Sequence, residues 1–256
     1  MTPTCFGVYH ILSLCIIFGL CALVLWKGKK VSDKQFDCII GITAGVLLLF
    51  ELYKQLILSY NAEKGTWAYY WTQFPFQFCS TPMYVMLLIS LLKNGKLKNS
   101  LCSFIATYSL FAGIAVCIYP GTVFVDHLGI NLQTMVHHGA MLIVGVFMYA
   151  CGKVKPCHKT VLYALPTFLV LIAMAITMNS IYAAYGDTKY TFTMFYIAPG
   201  LSCPFPVFDI LLEKAPYPVF LLTYVSLFTL AGYLVSMAAY LIIKLRKRMT
   251  TLSKES

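Results

Sequence analysis

Apolar residues run along this chain in long blocks separated by short polar breaks. A helix needs about 20 consecutive apolar residues to cross the hydrocarbon of a bilayer. Seven segments approach or exceed that length, at residues 8–26, 37–59, 76–92, 100–118, 131–150, 160–182 and 218–243. The third is the shortest and opens just after Pro75, a residue that suits the start of a helix. The breaks carry charges and turn formers, as in "KGKKVSDK", "KNGKLKNS" and "CGKVKPCHK". The pattern predicts an all-α polytopic membrane protein, a seven-transmembrane-helix bundle formed by one domain over residues 1–243. A basic tail follows at 244–256.

Composition agrees with that reading. Hydrophobic residues make up 60% of the chain and charged residues only 11%, too few to cover a soluble surface. The net charge of +10 changes the picture through its placement. Fifteen of the 19 Lys and Arg residues fall on one set of connections, at Lys27, Lys29, Lys30, Lys34, Lys93, Lys96, Lys98, Lys153, Lys155, Lys159 and the tail. Only Lys64, Lys189 and Lys214 fall on the other set, and Lys54 lies inside a span. The positive-inside rule then sets the N-terminus outside and the C-terminus in the cytoplasm, with the cell's plasma membrane as the expected location. The basic balance is an orientation signal, not a nucleic-acid footprint. The first apolar run has its lysines after it, as an N-out anchor does, and no cleavable signal is evident. Ten cysteines are scattered without a CxxC framework; Cys15, Cys21 and Cys117 read as packing residues.

Polar residues within the spans share one depth. Span 2 carries Glu51, Lys54 and Gln55; span 3 opens with Gln73, Gln77, Cys79, Ser80 and Thr81. Span 5 carries Asn131, Gln133, Thr134, His137 and His138, and span 6 ends with Thr177 and Asn179. At 1.5 Å per residue, Glu51 lies about 10–15 Å below the outer boundary, the histidines about 10 Å and Cys79 about 5 Å. The inner halves of these helices are nearly all apolar. A polar pocket in the outer half of the bilayer is expected, lined by Glu51, Lys54, Gln77, Thr134, Gln133 and Asn179. Glu51 and Lys54, three residues apart, share a helical face.

Neighbouring helical positions point about 100° apart, so one imidazole of "TMVHHGAM" can face the pocket while the other meets a helix. A thiol needs a base to become a nucleophile, and histidine is the usual partner. Cys79, His138 and His137 are therefore the candidate catalytic residues, with His138 the favoured base; packing and structural roles are the alternatives. Adjacent histidines are not a chelating spacing, so no metal is expected unless the bundle gathers Glu51, Asp126 and His127. No cofactor is implied.

The stretches "FPFQFCSTPMY" (74–84), "YPGTVFVDHLGINLQTMVHHGAM" (119–141) and "FTMFYIAPG" (192–200), with the seven-span layout, resemble the YwaF-like family of bacterial integral membrane proteins. That family is distantly similar to eukaryotic multi-pass membrane acyltransferases and hydrolases of lipids. The resemblance implies Cys79 as nucleophile, His138 or His137 as base, and a membrane lipid as partner. Two other readings stand beside it: a small-ligand transporter or receptor built on Glu51, Lys54 and the histidines, and a non-enzymatic structural protein. No internal repeat is seen, which counts against a transporter, and Val219 to Ile243 holds no lysine for a retinal Schiff base. The long aromatic segment 183–217 is expected to lie at the interface as a cap.

Overall fold

The computed structural model describes residues 2–28, 31–61, 64–121 and 123–255, apart from the side chains of Pro206, Arg246, Lys247 and residues 249–255. Lys29 and Lys30, and the side chains of Arg246, Lys247 and Lys254, counted above toward the inner charge, lie outside what is described.

Among the described residues, six helices are long and apolar enough to cross a membrane: α1 (Val8–Lys27), α2 (Asp33–Ser59), α4 (Lys96–Ile118), α5 (Leu128–Ala150), α6 (Thr160–Tyr185) and the part Tyr217–Leu245 of α8 (Tyr217–Glu255). The expected third span, 76–92, is helical only over α3 (Thr81–Leu91), eleven residues, so it falls short of a crossing. The connections add a short helix α7 (Pro206–Lys214) and a small antiparallel pair, β1 (Tyr60–Asn61) with β2 (Thr66–Trp67).

The central layer is α4 and α5. Each buries 72% of its most apolar stretch, against 17% for α1 and α8, whose apolar side chains are mostly left uncovered by the rest of the protein. Apolar side chains gain nothing by leaving lipid for one another, so close packing has to hold the centre together. Glycines permit it. A Cβ at Gly113 of α4 would lie 2.8 Å from Leu142 N and 2.9 Å from His138 O of α5, both backbone atoms. One at Gly145 would meet Leu110 Cβ at 2.6 Å. Just before these contacts along the chain α4 widens into one turn of π-helix, Ile105–Ser109, and Tyr108 there shares a 2.9 Å hydrogen bond with Thr229 of α8.

The two ends of the bundle differ. At the lysine end Ser32 and Gln35 form a capping box that starts α2. Asp33 pairs with Lys153 and accepts from Asn94, while Lys98, nearly fully buried, reaches Asp37 at 2.5 Å and the Leu92 carbonyl at 2.9 Å. Both lysines also lie over the Phe36 ring. This network ties α2, α4 and the loop after α5.

In that loop a hydrogen bond from Thr160 Oγ1 lowers the Cys157 thiol below its ordinary range, helped by Lys159, whereas burial raises Cys151. More thiolate at Cys157 means faster alkylation. Maleimide is expected to modify Cys157 before Cys151, as peptide mass mapping over a time course will read.

Candidate functional site

At the other end of the bundle, two irregular segments enter the protein where the sequence pattern suggests helix and loop. The first follows a short 3-10 turn, Trp71–Gln73. Pro75 has no amide hydrogen to donate, and the chain closes instead in tight turns: Phe76 N–H donates to Phe74 O at 2.8 Å, and the amides of Ser80 and Thr81 both donate to Gln77 O. Tyr84 Oη holds the Pro75 carbonyl at 3.0 Å. Only then does α3 begin, with Pro82 in its first turn. Cys79 sits in the last turn before that helix.

His137 and His138 project from α5 and are 3% and 6% exposed. His137 Nε2 is 3.0 Å from the carbonyl oxygen of Cys79, and His138 Nδ1 is 2.8 Å from that of Thr134. A carbonyl only accepts, so both contacting nitrogens carry the proton. Each imidazole is thereby fixed in one tautomer with a lone pair on the other nitrogen. Those two atoms, His137 Nδ1 and His138 Nε2, are buried and have no hydrogen-bond partner among the described residues. The rings are 6.0 Å apart.

His10, which the sequence pattern did not single out, provides the contrast. It is fully buried in α1, its Nε2 donates to the Cys117 carbonyl at 2.8 Å, and its Nδ1 accepts from the Phe6 amide at 2.9 Å. A buried imidazole with both nitrogens satisfied braces two segments. A buried acceptor left unpaired costs about 1–3 kcal/mol, so the pair on α5 is a costly arrangement for a brace alone.

The Glu51 carboxylate, 4% exposed, collects donors from two helices: Lys54 Nζ at 2.8 Å, Gln55 Nε2 at 2.7 Å and Gln133 Nε2 at 3.4 Å. Gln55 also reaches the Gln73 carbonyl at 2.7 Å and so anchors the chain leading to Cys79. The Lys54 ammonium lies within electrostatic reach of the Cys79 thiol and of both imidazoles. Lys54→Met would leave a buried carboxylate without its counter-ion. It is expected to cost about 3–5 kcal/mol, read as a lower unfolding midpoint in detergent, with Glu51→Gln/Lys54→Met recovering most of the loss.

The second irregular segment is the buried stretch around the 3-10 turn Met194–Tyr196. Phe195 and Tyr196 are both left-handed, at φ 59° and 55°, a conformation that costs about 1–3 kcal/mol per residue without glycine. Side chains from three elements hold it. Gln77 donates to Thr193 O and accepts from Phe195 N, at 2.9 Å each. Asn179 donates to Met194 O at 3.1 Å and accepts from Met194 N at 2.7 Å. Tyr224 Oη reaches Phe195 O at 3.1 Å and Tyr217 Oη reaches Ile197 O at 3.0 Å. The Phe78 ring, beside Cys79 in sequence, packs on those of Phe195, Phe168 and Phe228. Irregular backbone at membrane depth is tolerated where protein satisfies it, and these side chains do so.

The expected residues therefore divide. Glu51, Lys54 and Gln133 form one polar cluster, and His137 joins α5 to the turn carrying Cys79. Gln77 and Asn179 commit their amides to the backbone of residues 193–195. Thr134 contributes its carbonyl to His138. Asn179→Ala would orphan the buried N–H of Met194, at about 1–3 kcal/mol, and leave its carbonyl only the 3.4 Å bond from Ile197 N; thermal unfolding in detergent will measure it. Tyr217 and Thr193 were not singled out from the sequence, although the stretch 192–200 that contains Thr193 was; Tyr224 was read as a polar residue at the start of the last span.

His127 caps α5, its Nδ1 accepting from Ile130 N. Among the described residues no three His, Cys, Asp or Glu side chains come together as a metal site. A shallow groove of about 370 Å³ lies nearby, walled by Trp71, Phe74, Met178, Ile181, Tyr182 and Phe192.

No curated protein and no solved structure matches this chain. A family model does, over residues 5–247, which takes in all three stretches quoted for the YwaF-like resemblance, both irregular segments and both histidines. Nearly the whole chain is covered, and with its apolar helices it belongs to the TMEM164 family, a family of multi-pass membrane proteins.

Proposed function

We propose that the chain is a membrane-embedded thiol enzyme that transfers or hydrolyses an acyl group of a membrane lipid through Cys79, with His138 as its base. The YwaF-like likeness of its three motifs is part of this reading. So is a third crossing completed by the irregular stretch before α3, with the N-terminus and the Cys79 end facing outward across the plasma membrane and the lysine end in the cytoplasm.

One observation carries it: two buried imidazoles, each fixed as a donor to a carbonyl, keep unpaired lone pairs on the helix that contacts the Cys79 turn. The Cys79 thiol gives its proton to the imidazole, and its sulfur forms a bond to the ester carbonyl carbon of the lipid. The carbon–oxygen ester bond breaks, the lipid alcohol leaves with that proton, and an acyl-thioester remains. A second hydroxyl, or water, then gives its proton to the same nitrogen, attacks the thioester carbon and releases the thiol. Lys54, held 2.8 Å from Glu51, is the cation this reading assigns to the developing oxyanion.

Membranes incubated with acyl-labelled lipid are expected to yield a hydroxylamine-labile adduct on Cys79, lost in Cys79→Ser. No adduct in wild type, with lipid turnover unchanged in Cys79→Ser, would overturn the reading. Ligand binding abolished by Glu51→Gln but indifferent to Cys79→Ala would favour the receptor or transporter class. For orientation, a membrane-impermeant maleimide is expected to reach Cys157 only from the cytoplasmic side of sealed vesicles.

A further inference from the structure

The groove beside the site has walls of a particular kind. Tyr182 and Phe192 stack face to face at 4.3 Å and 8°, and Trp71 and Phe74 lie nearly parallel at 13°. Along α6 it runs from Met178 to Gly186, about 12 Å at 1.5 Å per residue. Its far end is polar: Asp187 accepts from Tyr182 Oη through its carbonyl and from the Lys189 amide through its carboxylate.

The groove is continuous with a surface that faces hydrocarbon. On α6 the residues Leu162, Leu169, Val170, Met174 and Ile181 are 42–60% exposed and form one apolar stripe that ends in it. Whatever covers that stripe in the bilayer has direct access to the groove, and that cover is lipid tail. Phe74 and Phe192 also begin the two irregular segments that Gln77 ties together, one leading to Cys79 and the other to the left-handed Phe195 and Tyr196.

We infer that this groove binds one acyl chain of a bilayer lipid, laid along α6 with its polar end toward Asp187. Flat aromatic walls suit a flexible chain because they offer contact area without demanding a shape. The link between this groove and chemistry at Cys79 rests on the acyl-transfer reading above; occupancy of the groove does not.

The test uses the full chain in detergent with a trace of phosphatidylcholine carrying a diazirine near the end of one acyl chain. After irradiation, saturable adducts are expected at Phe74, Met178 and Ile181, chased by excess unlabelled phosphatidylcholine. Residues 162–170 of the stripe should label in simple proportion to probe. Ile181→Trp, at a half-exposed position, is expected to reduce the saturable adducts about tenfold with the unfolding midpoint unchanged. Adducts no more saturable than those on the stripe, adducts indifferent to Ile181→Trp, or adducts chased by added detergent and not by phospholipid would each overturn it. Saturable adducts in a protein that forms no thioester leave the groove standing and remove Cys79; a thioester without them does the reverse.

Discussion

Acyl transfer by the His138→Ala protein is expected to fall about 10²–10⁴-fold with its folded fraction intact, the range that a positioned general base supplies. The two histidines are predicted to fail differently because their fixed nitrogens are bonded differently. His138 donates to Thr134 O, four residues back on its own helix, and that carbonyl keeps its ordinary helical partner when the ring is removed. Nothing structural is orphaned. His137 instead donates to a carbonyl 58 residues away and joins α5 to the turn before α3. His137→Ala is therefore expected to lower stability by about 1–3 kcal/mol and to disorder the Cys79 turn. Single-turnover thioester formation, measured beside the unfolding midpoint for both variants, separates the roles. If His138→Ala forms thioester at the wild-type rate, the base is His137 through Nδ1 and the assignment is reversed.

The second large effect is steric. Gly113→Leu is expected to leave almost no folded protein, and Gly113→Ala to cost about 1–3 kcal/mol or more. The obstacle at Gly113 is backbone of α5, so no side chain can swing aside. One of the two atoms in the way is the carbonyl of His138, so even a tolerated alanine has to displace the imidazole pair. Gly139→Ala meets side chain rather than backbone, Ile17 Cδ1 and Cγ1 at 2.8 Å each, and should be milder. Gly19 and Gly45 have open space around a Cβ, and alanine there is expected to be neutral or to add up to about 1 kcal/mol of helix propensity. Size-exclusion profiles in detergent across these four sites check the order.

Hydropathy located the six spanning stretches to within a few residues because exclusion from water alone fixes where such stretches lie. It overextended the third. Residues 76–80 are apolar enough to read as helix, yet their backbone is turned, and the partner that makes this tolerable, Thr193, lies 116 residues from Gln77. No local pattern reports a partner so distant. The shared depth of Glu51, Gln133, Cys79 and His137 was legible from residue counting, and these side chains or their backbones do meet. Whether these side chains face a cleft or one another was not legible, since depth along a helix does not report it. The left-handed Phe195 and Tyr196 gave no sign either: such positions are read from glycine or asparagine, and this segment offers neither.

The single π turn at Ile105–Ser109 inserts one extra residue into the winding of α4. Every position after it is rotated by about 100° from where an unbroken helix would present it. Gly113 lies just past that phase shift, so its alignment with His138 is set by an indel-sized irregularity one to two turns upstream. A one-residue deletion within Ile105–Ser109 would make a more regular rod and point the glycine elsewhere, bringing a bulkier neighbour against α5. Regularity and function pull in opposite directions here.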